Sequence, residues 1–355
     1  MAATRQDALN DALERLDGLG FTMENSFSEH GPMVAEAISA LGRNDDVAGW
    51  VEIYKQKHRH NPLPPRKQPI DGTNETERRG ALGDYARAAD WLDLFRAQLK
   101  ERRWQDVISN WVPILMSGHF GGLTHGLIRT AHAVRSFPKD ANPSKLQLDE
   151  LARGFAYWAA VYRPLPGNPD HRGDLEIDQA LRRLPRLDPK QQKGPPAPAL
   201  NDLPGFTSAV ESLAATGDPE EAISRHTAAF ARVLIAHPEV PPIPLVHTIT
   251  APTALQNLLP YLPRELGARF YRHLWQVSAA IAAIFATPAT PDSETDPEIG
   301  EPSLLPDELI DRAIEHGDEH TIKLTEACLR EDRIRPDPAY RAAAEAVLHR
   351  TTPPA

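Results

Sequence analysis

A single cysteine, Cys328, stands in 355 residues. It excludes an internal disulfide and a cysteine-based zinc site, and it fits a reducing cytoplasm. Alternating apolar and polar runs are nearly absent, so no sheet is expected. No charged segment leads into an apolar run at the N-terminus, so no secretion signal is expected. The most apolar stretch, Val277 to Phe285, is too short to span a bilayer. Basic residues are outnumbered, 39 Lys and Arg against 49 Asp and Glu, for a net charge of −10. That balance argues against nucleic acid and anionic membrane as partners, since both select basic surface. No GxGxxG fingerprint supports a direct nicotinamide or flavin site.

What is present is helical periodicity and proline. Apolar residues recur at helical spacing almost throughout, as in Leu9, Leu13 and Leu16, or Trp91, Leu94, Phe95 and Leu99. The 34 prolines cluster and mark connections between helices. The longest connections are 163–204, a candidate lid, and 288–305, acidic and proline-rich. The apolar residues are spread evenly, so the sequence predicts an all-α fold in one multi-helix domain, 1–355. Pro32 opens a helix just after His30. Residues 238–250 read as extended and deliver His247 to the start of a helix.

The stretch Asp318 to Cys328, DEHTIKLTEAC, poses the sharpest question. Asp318 follows a glycine and is a natural N-cap. His320 and Lys323 are three apart on a largely apolar helix and share a face. Lysine is rarely buried without a partner. Either a carboxylate meets it, Glu326 one turn on or Glu36, or its nitrogen has been chemically changed. His316 and His320 suggest the two-histidine zinc helix, but Gly317 and Asp318 separate them and the motif's glutamate is misplaced. His58, His60, His171, His237 and His349 lie in polar or proline-rich segments and read as surface. His30, His119, His125, His132, His226, His247, His273 and His320 remain as candidates. His125 and His132, seven apart, face the same way. Helical cores commonly hold catalytic metals on imidazoles from several helices, and imidazole suits iron, zinc, copper and nickel alike. Trp111, Phe120, Phe155, Trp158, Phe270 and Trp275 are as readily core as the lining of an aromatic pocket.

Four stretches taken together resemble the questin oxidase-like family: HGPMVAEAISALGR at 30–43, HGLIRTAHAVR at 125–135, LVHTITAPTAL at 245–255 and DEHTIKLTEAC at 318–328. They run in this order across nearly the whole chain. The resemblance implies an α-helical, O2-dependent oxygenase that opens rings of aromatic polyketides, with a non-haem Fe(II) site in the helical core. The implied ligands are His30, His125, His247, His320 and Lys323, with His132 a substitute for His125. A lysine ammonium has no acceptor and cannot bind a cation. A neutral lysine amine captures CO2 to give a carbamate, which ligates as a carboxylate does. Glu36 and Glu326 are candidates for orienting the imidazoles, with Thr248 and Thr321 weaker ones. The expected partners are O2 and a small aromatic substrate. The competing expectations are an NADPH-consuming Baeyer–Villiger-type monooxygenase, with the reductant used indirectly, a metal-free helical binding protein, and a two-metal hydrolase.

Overall fold

The computed structural model describes residues 3–167, 169–188, 196–286, 297, 299, 300 and 302–353. Among these residues every extended regular element is a helix, and strand-type pairing is confined to isolated bridges such as Thr22 with Ser28. The fold is all-α, as the periodicity predicts. The chain gathers into two compact units. The first is Met1–Pro164 with Pro260–Leu262, the second Leu165–Leu259 with Pro263–Pro353. Composition marks no boundary because both units fill their cores with the same residue types. Of the 163–204 connection, 168 and 189–195 lie outside the described residues. So do 287–296, 298 and 301, which include most of the 288–305 linker.

The first unit comprises α1 (Arg5–Arg15), α2 (Gly31–Ala40), α3 (Asn44–Lys57), α4 (Glu75–Ala81), α5 (Ala88–Glu101), α6 (Trp104–Leu115), α7 (His125–Arg135) and α8 (Lys145–Ala160). Local chemistry sets the helix starts. The Thr4 hydroxyl accepts from the Asp7 amide at α1, and Ser144 with Gln147 forms a reciprocal capping box at α8. Helix α8 is the centre of this unit and packs on α5 and α7. On the α5 side, Phe95 stacks on Phe155 at 5.1 Å and meets Trp111 edge-on at 4.8 Å. All three are fully buried, each contributing about 1.5–3 kcal/mol by burial. On the α7 side the backbones almost touch. A Cβ on Gly126 would lie 2.6 Å from Trp158 Cα, and one on Gly154 would lie 2.9 Å from Thr130 Cα. Glycine at both positions lets α7 sit directly against α8.

The second unit comprises α9 (Ile177–Arg183), α10 (Pro196–Ala199), α11 (Phe206–Glu211), α12 (Pro219–Ala236), α13 (Pro242–Gln256), α14 (Arg264–Phe285), α15 (Pro306–His316), α16 (Glu319–Ile334) and α17 (Pro338–Arg350). Helix α13 packs on α12, α14 and α16. It begins at Pro242, so the segment read as extended up to residue 250 is helical from there on. The prolines mislead because a helix's first turn has no use for their missing amides. Among the described residues no helix is long and apolar enough to cross a membrane.

Candidate metal-binding histidines

In the first unit, the start of α7 is forced by an unusual turn. Gly122, Leu123 and Thr124 all have positive φ, 59°, 49° and 66°. Two successive non-glycine residues in the left-handed region are costly and persist only where the surroundings hold them. The turn aims the Gly122 carbonyl at His125. It accepts from the His125 backbone N–H at 3.2 Å and from Nδ1 at 2.7 Å. A carbonyl only accepts, so His125 Nδ1 carries the proton and Nε2 keeps its lone pair.

That lone pair faces His30. His30 is the N-cap residue of α2, and its backbone N–H donates to the Tyr54 hydroxyl at 2.9 Å. The two Nε2 atoms are 2.8 Å apart, with the rings edge to face at 83°. Two nitrogens bound at right angles to one metal, each about 2.1 Å from it, stand about 3 Å apart. The pair therefore fits a shared cation as well as it fits a direct hydrogen bond.

A buried ionic cluster fixes this pair from below. Arg129, one turn after His125, donates to both Glu150 oxygens of α8 at 2.6 and 2.9 Å, and its Nη1 lies 3.3 Å from Glu29 Oε2. Glu29 Oε1 in turn accepts from the Gly31 amide at 2.6 Å, at the N-terminus of α2. Burial pushes the Glu29 carboxyl up to about 7, although Arg129 opposes the shift. Next to Glu29, the Ser28 and Tyr157 hydroxyls share a hydrogen bond of 2.5 Å.

A second buried cluster ties α2 to α7 further along. Glu36 accepts from Arg135, Arg5 and His132, the last at 2.7 Å through Nδ1. Burial alone would raise the Glu36 carboxyl, but Arg135 and His132 together hold it well below the usual range. Glu36 is thus bonded to His132, Arg135 and Arg5. His132 points to Glu36 while His125 points to His30, so two turns of helix separate their roles.

In the second unit, His247 lies in the interior of α13 and is buried. The Asp318 carboxylate caps α16, accepting from the amides of His320 and Thr321 at 3.0 and 2.8 Å. His320 is thereby fixed in the first turn, its ring 5.5 Å from that of His247 and inclined at 70°. Lys323, 2% exposed, follows one turn later on α16. Asp318, Glu319 and His320 also offer ligand atoms within 4.8 Å of one another. Asp318 Oδ1, however, is already occupied by the cap and by the Thr321 hydroxyl. Glu326 lies 3.8 Å from Arg330, its ion-pair partner one turn on. The Thr248 hydroxyl donates to the Leu245 carbonyl at 2.6 Å.

Other histidines depart from expectation. His171 and His237 are buried, not surface residues. Polarity of the local sequence did not mean exposure at these two positions. His226 is fully buried, stacked on Phe230 at 4.5 Å and bonded to the Ser278 hydroxyl at 3.0 Å. Burial drives its pKa down to about 3. It is a neutral core histidine. His119 is likewise buried, with Nδ1 2.6 Å from the Met116 carbonyl.

No protein-family model matches the chain, and no curated protein matches it. The site therefore has to be judged on its own residues. Trp111, Phe155, Trp158, Phe270 and Trp275 are all core, and only Phe120 of the candidate pocket aromatics is half-exposed. The sequence reading missed Glu29, Arg129 and Glu150. Arg129 carried a usable signal: a lone arginine between Leu127, Ile128 and Ala131 on a buried helix demands a carboxylate.

Proposed function

We propose that this protein is a non-haem Fe(II), O2-dependent oxygenase that cleaves a carbon–carbon bond in a fused aromatic or quinone-type substrate. His30, His125, His247, His320 and Lys323 are the proposed ligands, Lys323 as its carbamate. The observation that carries the reading is the His30–His125 pair. Its nitrogens are spaced as cis ligands would be, and His125 is locked in the tautomer that presents Nε2 for coordination. The His247 and His320 rings, 5.5 Å from each other, with Lys323 one turn beyond His320, supply a second group of suitable donors. Imidazole and carboxylate-type donors suit iron, among other metals. Bound Fe(II) would supply the redox centre that activates O2 toward an electron-rich ring.

The chain's own contribution is to hold and orient. The Gly122 carbonyl sets the His125 tautomer, and Asp318 fixes the first turn that carries His320. The lysine amine attacks CO2 through its lone pair and loses a proton, so an anionic oxygen donor replaces a cation.

Elemental analysis of purified protein, with chelation and Fe(II) restoration, tests the reading. One iron per chain is expected, with O2 consumption in the presence of a fused-ring hydroquinone lost on chelation and restored by iron. Turnover that survives complete metal removal overturns it. Two metals per chain would mean that the two histidine pairs do not serve one ion.

A further inference from the structure

The strained turn that aims His125 also forms one wall of an open cleft in the first unit. The cleft has a volume of about 420 Å³, within the range of small-molecule sites. Its lining combines Tyr85 and Phe120, both half-buried, with Gly83, Gly121 and Gly122 and the end of α8 at Ala160 and Val161. Arg163 stands exposed at the rim. The cleft thus offers two aromatic rings, a stretch of wall without side chains, and one guanidinium, with no acidic residue among its lining. Backbone packing rather than loose loop structure keeps the wall in place. A Cβ on Gly121 would fall 1.6 Å from the Val161 carbonyl oxygen, so turn and helix end are in direct backbone apposition. The Arg163 amide also donates to the Gly118 carbonyl at 2.9 Å, which anchors the rim to the segment preceding Phe120.

We propose that this cleft seats a planar aromatic anion, its ring against Tyr85 and Phe120 and its carboxylate or phenolate oxygen on Arg163. Aromatic faces favour a flat ring, glycines admit it close to the backbone, and the planar guanidinium pairs with an oxyanion. The seat is coupled to the histidine behind it. Gly122 lines the cleft and its carbonyl receives the His125 Nδ1 proton, so a ring packed on the 120–123 turn bears on the orientation of His125. Strain in Leu123 and Thr124 is accounted for as the means of holding both functions in one turn. Its role as the substrate seat rests on the proposed oxygenase function, whereas the binding itself does not.

The test uses metal-free full-length protein titrated with naphthoate and with its uncharged amide, naphthamide, by calorimetry and by NMR of the histidine side chains. Naphthoate is expected to bind at least tenfold more tightly than naphthamide, and to shift the His125 ring signals. Arg163→Gln is expected to abolish the preference for the anion, and Phe120→Ala to weaken both ligands several-fold, with unchanged melting temperatures. Equal affinity for the two ligands, an anion preference that survives Arg163→Gln, absence of naphthoate binding, or an unmoved His125 signal overturns the proposal. Iron content is measured separately. A protein that binds naphthoate but no metal keeps the seat and loses the oxygenase, and one that binds iron but not naphthoate does the reverse.

Discussion

Replacing Arg129 with methionine keeps an unbranched apolar stem but removes the guanidinium shared by Glu150 and Glu29. Two hydrogen bonds of 2.6 and 2.9 Å to Glu150 are lost, along with the 3.3 Å ion pair to Glu29. All three side chains are buried. Breaking a buried pair by removing one partner typically costs about 3–5 kcal/mol, because an uncompensated charge stays inside. Against a typical stability of about 5–15 kcal/mol, that is a large fraction. The size of the loss depends on pH in a definite direction. Burial already pushes the Glu29 carboxyl up to about 7 with Arg129 present, and losing the cation raises it further. Between the unfolded value near 4.5 and the raised folded value of Glu29, the folded variant binds more protons than the unfolded chain. Its stability therefore falls as pH rises, by up to about 1.4 kcal/mol per pH unit from Glu29. Urea denaturation of metal-free Arg129→Met at pH 5 and pH 8 is expected to show the larger deficit at pH 8. Adding Glu29→Gln and Glu150→Gln should recover part of it. A loss below about 1 kcal/mol at both pH values, or a triple variant no better than the single one, refutes the assignment of this cluster as the pin between α2, α7 and α8.

Three further outcomes are expected. Lys323→Ala should lose bound iron, whereas Lys323→Glu, which restores an anionic oxygen, should retain part of it by elemental analysis; equal retention in both denies the lysine a ligand role. His125→Ala should abolish iron binding while His132→Ala lowers stability by about 1–3 kcal/mol, the cost of stripping a partner from buried Glu36, and leaves the iron content unchanged. His226 resists protonation until about pH 3 in the folded protein but takes a proton near 6.5 when unfolded. It therefore adds no pH dependence above about 6.5 and costs stability as pH falls from there toward 3, at up to about 1.4 kcal/mol per unit. His226→Gln should flatten the stability profile between pH 6 and 4, measured by denaturant unfolding.

Helical periodicity, caps and proline placement are local properties, and they were legible in the sequence. The capped start of α16 at Asp318 follows from one short side chain reaching the next amides, so neighbouring residues suffice to predict it. The same local logic failed at α13, where prolines suit a loop and a first helical turn equally. It also failed for His171 and His237, because exposure depends on what packs over a segment and not on its own polarity.

The all-α fold, the shared helix face of His320 and Lys323, and the need for a buried lysine to have an explanation all follow from local sequence. That His125 meets His30 while His132 meets Glu36 is a product of long-range packing. Residues 95 and 96 positions apart become neighbours through the packing of α2 on α7, which no spacing rule encodes. The left-handed turn at 122–124 is a decision of the same kind. Leucine and threonine do not favour positive φ, so these values are held by the surrounding structure and not by local preference.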